Sequence, residues 1–506
     1  MSVPGAAQKL QRAEPNLYRA VATRLEVFGA AYASNANQLS QVTRIFWVSP
    51  DFEIYDLVAA FPNWWVSGYG IPLPEADCKN PCSVGASLEI GGERYPFLFG
   101  GRNSVESKMV LAPGTTALTD PLRAKGGGLL RIPARTRCYF LTERLVASPS
   151  DEQIGGYRQQ TQNGEASQYS SGDQSELLLS GKITGNANNN YGPCAAVAKG
   201  WDGRPVICCV GDSIGVGAAE SARDADMRGM TGYVKRGLDD DGNGTQRLPA
   251  LSLMMNGTRQ QNSSRRSSGE FRRRAELLDL LAGLNPQSKP VFTHWLSQMG
   301  VNGAGGTYDK FQRSMDVFYQ FIHSLANLPI VQCTLTPRTR DNSRTFYSDL
   351  AHQVELAPFP AADRFQFNAE IMTPAGRNRF GIAAVIEAHA VMGDTAMPGR
   401  FAVSPFEATL SAEALPGANA LTLDHKPDLG ALLVLEPNSG NAELTAVSAV
   451  SGTGPYAVTV SRMQRPHAIG ATAKETLTPD GLHPSSRLHR RAIAVVQKAK
   501  KEGAFT

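Results

Sequence analysis

The chain has no apolar run of the roughly 20 residues needed to cross a bilayer as a helix. Its start, MSVPGAAQKLQRAEPNLYRA, lacks a basic stretch followed by an apolar one, so no secretory leader is read there. The expectation is a protein that stays in the cytoplasm, or is exported or virion-associated by a route without a cleavable signal. Charge is scarce: Asp, Glu, Lys and Arg make up 19% of the 506 residues and the net charge is only +4. That balance makes no general case for a nucleic-acid partner. The one local exception is Arg265, Arg266, Arg272, Arg273 and Arg274, which are expected either to meet an anionic substrate or to form a solvated helix face.

Metal chemistry is equally thin. The 8 histidines and 7 cysteines do not fall at zinc-ligand spacing. Cys208 and Cys209 sit in an apolar run and read as small core residues, whereas Cys78 and Cys82 could bridge a loop, a point their spacing leaves open. The acidic turn at 239–244 has Ala250 where a calcium loop starting at Asp239 would need its closing Glu, so it reads as a solvated turn. No metal and no organic cofactor is implied.

What the chain does have is VICCVGDSIGVG at 206–217. Its apolar, β-branched first half suits a strand buried on both faces of a parallel sheet. Its second half turns sharply at Gly211-Asp212-Ser213. A hydroxyl there lies at the carboxyl edge of the sheet with helix N-terminal amides beside it, a good seat for a nucleophile. A serine alcohol needs a base and donors for an oxyanion. The base is found far downstream in Thr478-Pro479-Asp480-Gly481-Leu482-His483-Pro484. Three residues before His483, Asp480 can fold back in one turn and hold the Nδ1-H of the imidazole while Nε2 faces Ser213.

Around these blocks the chain changes character several times. Residues 1–40 form an N-terminal segment whose Leu17, Tyr18, Val21, Leu25, Val27 and Phe28 permit an amphipathic helix at about 15–32. Residues 41–185 carry many short β-rich runs divided by Gly, Pro, Asn and Asp, from RIFWVS to SELLLSGKI, which predict an antiparallel sandwich or jelly roll. Trp64, Trp65, Tyr69 and Phe97 there could stack on sugar rings, although packing is the commoner use of strand aromatics. Residues 161–200, rich in Asn, Gly, Ser and Gln, read as a linker flanking the last strand.

From 200 strands and helices alternate, which predicts βαβ crossovers and a mostly parallel sheet. A helix ending at Gly237, a strand at 249–255, and a helix at 269–284 with Leu277, Leu278, Leu280 and Leu281 inward come first. Then follow a strand and loop at 290–303, a helix at 308–325, and strands at 330–335 and 380–392. Residues 396–475 return to alternating apolar-polar runs, read as a small inserted β module at the rim of the site. It is also a surface through which copies of the chain could associate.

Gly-Asp-Ser after a buried strand, with Asp-Gly-Leu-His-Pro before a C-terminal helix, resembles the SGNH (GDSL-type) hydrolases, whose first block is GDS and whose last is DxxH. The resemblance covers 200–395 and 476–506. It implies a three-layer α/β/α domain with a flavodoxin-like parallel sheet, here joined to an N-terminal β-sandwich and an inserted β module. It implies Ser213 as nucleophile, His483 as base and Asp480 as its partner. It also implies an oxyanion hole from the N-H of Ser213, the N-H of Gly257 and the side chain of Asn302. At the third block the family has Gly-x-Asn-Asp, whereas this chain has Gly300-Val301-Asn302-Gly303. His294, His323, His352 and His389 read as core or surface residues, and Asp212 as a residue that orients the loop.

The family spans lipases, thioesterases, carbohydrate O-acetylesterases and acyltransferases, so the triad does not fix the substrate. Appended β modules, similar to those of carbohydrate esterases and phage tail proteins, favour an acetylated poly- or oligosaccharide. The alternatives are a lipase, general acylesterase or acyltransferase, and a carbohydrate-binding structural protein of phage-tail type whose hydrolase fold has decayed.

Overall fold

A computed structural model describes residues 13–66, 75–101, 105–156, 159–186, 190–220, 230–239, 247–266, 269–303, 306–343, 345–356, 361–397 and 399–506. The chain is a mixed α/β protein built from several sheets. Five short strands, Ile207–Val210, Ala250–Ser252, His294–Ser297, Ile330–Cys333 and Ile382–Ile386, pair in parallel throughout. Their order in space is second, first, third, fourth, fifth. This is the flavodoxin-like order, in which the crevice for a ligand opens at the carboxyl ends beside the first strand, where the winding direction reverses. Every residue of the first strand is buried, as its unbroken Ile-Cys-Cys-Val run requires.

The helices gather in two groups. α1 (Ser213–Val216) and α2 (Tyr233–Leu238) pack together, and α2 lies on the C-terminal helix. After α3 (Arg272–Ala282), α4 (Tyr308–Leu325), α5 (Ala361–Met372) and α6 (Pro374–Phe380) pack on one another. Aromatic contacts from Phe367 to Phe311 and Phe380, and from Phe380 to Tyr319, join this second group. α7 (His389–Met392) and α8 (Ser486–Lys501) complete the set, and α8 touches both α2 and α7. The alternation from 200 onward follows the periodicity, with trimmed ends. α3 is shorter than 269–284, and Leu280 faces solvent while Leu277, Leu278 and Leu281 are buried.

Upstream stand two antiparallel sheets. One runs in the order 166–170, 40–48, 137–145, 82–90, 93–96; the other in the order 19–20, 195–199, 54–62, 116–118. Their apolar side chains belong to a single core that continues into the parallel sheet. Residues 407–476 form a separate six-stranded antiparallel sheet with its own core around Leu423, Leu433, Leu435 and Val458. Its last strand, Thr472–Thr476, runs straight into the Asp480 loop.

Several expectations require correction. Residues 15–32 are not a helix: Arg19–Ala20 is an edge strand, and Ala20 and Val21 donate to the carbonyls of Val291 and Ala196. The apolar residues there exceed one helical stripe, since Leu17, Tyr18, Ala20, Val21, Ala22, Leu25, Val27 and Phe28 are all buried. The segment therefore straps two sheets together instead of bonding to itself. Residues 161–200 are not a linker, because Ala166–Ser170 and Ala195–Lys199 are sheet strands. SELL at 175–178 is a 3₁₀ turn and not a strand. Trp64 and Phe97 are fully buried and offer no ring to a sugar, Trp65 is half-buried against the core, and Tyr69 lies outside the described residues. All seven cysteines, Cys78 and Cys82 included, are free thiols. Of the acidic turn at 239–244 only Asp239 is described, and it is buried against Arg247 at 2.6 Å.

Gly237 lies inside α2 and does not cap it. A Cβ at this position would run into the side chain of Val496 on α8, so the glycine is kept for close approach of the two helices. Gly237→Ala is expected to lower stability by about 1–3 kcal/mol through overpacking. Urea denaturation would measure it; a gain of about 1 kcal/mol, the usual helix benefit of alanine, would contradict this packing.

Candidate active site

At the end of the first parallel strand the chain turns into α1, a single helical turn, so the expected helix N-terminal environment is only that turn. Asp212 caps it: Oδ1 accepts the N-H of Ile214 at 2.9 Å. Gly217, at φ 89°, ends it. Ser213 is the first residue of the turn and is only 6% exposed. The second strand is laced to this loop, since Leu253 donates to the carbonyl of Cys209 at 2.8 Å and Met255 to that of Gly211 at 3.1 Å.

Gln298, at the end of the third strand, also fixes the loop. Its Oε1 accepts the N-H of Asp212 at 3.1 Å and of Gly215 at 3.0 Å. The close approach explains the small residues nearby: a Cβ at Gly211 or Gly215 would come within 2.9 Å of that oxygen. Composition and motif give no hint of Gln298; the available signal is a polar side chain closing a buried apolar strand.

His483 reaches Ser213 from 270 residues away, with Nε2 2.7 Å from Oγ. Its Nδ1 is 2.6 Å from Oδ2 of Asp480. The other carboxylate oxygen, Oδ1, accepts the backbone N-H groups of Leu482 at 2.9 Å and His483 at 2.8 Å, so Asp480 folds the loop and orients the ring together. Gly481 turns the loop at φ 72°, and the Thr339 carbonyl sits where its Cβ would be. Thr339 in turn donates its N-H to Gly481 O at 2.7 Å. Ser485 then caps α8. The serine lies at the bottom of the site, His483 is partly covered, and Asp480 is half-exposed at the mouth.

Burial would raise the Asp480 carboxyl, but the hydrogen bond and charge of His483 and the two backbone N-H groups outweigh it and hold the carboxyl below its ordinary range. Asp212 behaves in the opposite way. It is fully enclosed, and desolvation pushes its carboxyl up to about 6 despite the Ile214 N-H.

The other sequence-derived residues lie on neighbouring loops. Gly257 sits at φ 75° after the second strand. Asn302 is in the 3₁₀ turn Val301–Gly303 after the third strand, and its Nδ2 donates to the carbonyl of Thr258 at 3.4 Å. Among the described residues, the backbone N-H groups of Ser213 and Gly257 donate to no protein acceptor. Gly303 has no room for a side chain because the Gln260 amide fills that space.

The arginine run is spent on structure. Arg266 pairs with Asp279, Arg272 with Asp77, Arg273 with Asp77 and Glu276, and buried Arg274 with Glu75 at 2.6 Å. His294 is buried and His389 partly so, and desolvation pushes both imidazoles down to about 4, while His352 pairs with Asp349 at 3.0 Å.

No protein-family model and no curated protein matches the chain. Solved structures similar to it include a variant of the acetyl xylan esterase Axe2 from Geobacillus stearothermophilus. It is 12% identical over 37% of this chain and 78% of that one, with a TM-score of 0.23. A family two carbohydrate esterase from Cellvibrio japonicus is 10% identical over 73% and 87%, with a TM-score of 0.21. The salicylyl-acyltransferase SsfX3 of a tetracycline biosynthetic pathway is 11% identical over 72% and 73%, with a TM-score of 0.24. Likeness of this degree assigns no activity, and the side chains carry the case.

The buried Asp212 carries a measurable consequence. Its folded-state value of about 6 lies above the 3.8 of a free carboxyl, so the native state binds more protons between those values and this group's contribution to stability falls as pH rises. Asp212→Asn keeps the oxygen that caps Ile214 and removes the charge. Relative to the natural protein, its stability should rise from pH 4 to pH 7 by up to about 3 kcal/mol. Urea midpoints at the two pH values measure this; a pH-independent difference would contradict it.

Proposed function

We propose that the protein is a serine ester hydrolase of SGNH type that removes O-acetyl groups from a poly- or oligosaccharide. The observation that carries the reading is the continuous chain from Ser213 Oγ to His483 Nε2 at 2.7 Å and from His483 Nδ1 to Asp480 at 2.6 Å. The parallel sheet with helices in two groups supports the three-layer hydrolase domain, the paired antiparallel sheets support an N-terminal sandwich, and 396–475 supplies the inserted module.

In this mechanism Ser213 Oγ bonds to the ester carbonyl carbon as its proton passes to His483 Nε2, and Asp480 stabilises the imidazolium. The carbonyl oxygen becomes an oxyanion, which the N-H groups of Ser213 and Gly257 and the Asn302 amide receive. As the intermediate collapses, the bond to the sugar oxygen breaks and His483 returns its proton to that oxygen. A water then gives a proton to His483 and attacks the acyl carbon; acetate leaves and Ser213 regains its hydrogen. Asp212 and Gln298 hold the serine loop without touching the reacting atoms.

Ser213→Ala should reduce kcat for an activated acetate ester by up to ~10⁶, and Asn302→Ala by about 10² to 10³. Acetate release from acetylated polysaccharides, set beside hydrolysis of long-chain esters, tests the substrate class. Undiminished turnover by the Ser213 variant would remove the mechanism, and a preference for long acyl chains would favour a lipase.

A further inference from the structure

Two arginines outside the run at 265–274 lie on loops at the carboxyl edge of the parallel sheet, the edge at which Ser213 stands. Arg259 lies on the loop after the second parallel strand, two residues past Gly257, and Arg338 on the loop after the fourth. Because the first strand stands between the second and third, these loops approach Ser213 from opposite sides along the carboxyl edge of the sheet.

Both backbones are fixed. The carbonyl of Arg259 accepts the N-H groups of Asn262 at 3.3 Å and Ser263 at 3.1 Å, and the preceding carbonyl, of Thr258, receives Asn302. The carbonyl of Arg338 accepts the N-H of Leu356 at 3.3 Å, and the next residue, Thr339, is bonded to Gly481 in the Asp480–His483 loop. The Arg259 side chain is partly exposed and, among the described residues, forms no ion pair or hydrogen bond. Arginines that serve structure in this protein do otherwise, as Arg266, Arg272, Arg273 and Arg274 illustrate.

Guanidinium and carboxylate charges meet here. Arg338 is pushed down chiefly by burial; the charges of Asp212 and Asp480 oppose that shift and the charge of Arg259 adds to it. Arg364, only 1% exposed and within electrostatic reach of Arg338, adds a third guanidinium, and among the described residues its two Nη atoms have no hydrogen-bond partner. Of the nearby carboxylates, Asp480 is committed to His483, Asp212 is sealed beneath the serine loop, and Glu355 bears on Arg364. The guanidinium of Arg259 is matched to a carboxylate in shape and charge.

We propose that Arg259 provides a subsite for an anionic group of the substrate, a carboxylate on the sugar that bears the ester or on its neighbour. The natural substrate class is then an O-acetylated acidic saccharide. This inference rests on the esterase reading and narrows it.

The test compares acetate release from an O-acetylated hexuronate oligosaccharide and an O-acetylated xylo-oligosaccharide of equal length. The natural protein should show kcat/KM at least tenfold higher on the acidic substrate, a preference that shrinks as salt is raised. Arg259→Ala should lose at least tenfold more on the acidic substrate than on the neutral one, and Arg259→Lys should recover part of the loss. Equal kcat/KM on the two substrates, or proportional losses in Arg259→Ala, would overturn the subsite while leaving the esterase intact. If neither ester is cleaved the esterase reading fails, and calorimetry still decides the subsite. Ser213→Ala should bind the unacetylated hexuronate oligosaccharide, and Ser213→Ala/Arg259→Ala should bind it at least tenfold more weakly; equal affinity, or no binding by either, would overturn it.

Discussion

The site depends on one hydrogen bond between residues 270 positions apart, from Ser213 Oγ to His483 Nε2. Neither partner is placed by its own side-chain contacts alone. Ser213 is held by a strand end that Gln298 and the second strand brace from two directions, and His483 by a loop that Asp480 folds and Thr339 anchors. The parallel sheet is the common frame, since both Gln298 and Thr339 belong to segments that leave its carboxyl edge. Everything C-terminal to the fifth strand, including a whole β module, must return the chain to that edge. The packing of α8 on α2 secures the return.

The two aspartates nearest the serine and histidine illustrate how environment divides labour between like groups. Asp480 is half-exposed and receives two backbone N-H groups and an imidazole, so its charged form is favoured. Asp212 is enclosed and its charged form is penalised, consistent with a residue that shapes the loop and does not take part in proton transfer.

Much of this was legible in the sequence because it is local. A buried β-branched run ending in Gly-Asp-Ser, helical spacing at 308–325, and an Asp three residues before a His are patterns that short-range geometry enforces. What was not legible depends on distant partners. The arginines at 272–274 looked available because carboxylates that hold them, Glu75 and Asp77, lie about two hundred positions upstream. Gln298, Arg259 and Arg338 belong to no motif and gain meaning only when the sheet order brings their loops together. Residues 15–32 misled because apolar positions buried between two sheets can imitate one face of a helix.

The most direct measurement is covalent capture of the nucleophile. A fluorophosphonate incubated with the folded protein near neutral pH should add once, peptide mass spectrometry should place the adduct on Ser213, and His483→Ala should abolish labelling. No adduct, or an adduct on another residue with Ser213 unmodified, would contradict an activated serine at the end of the first strand.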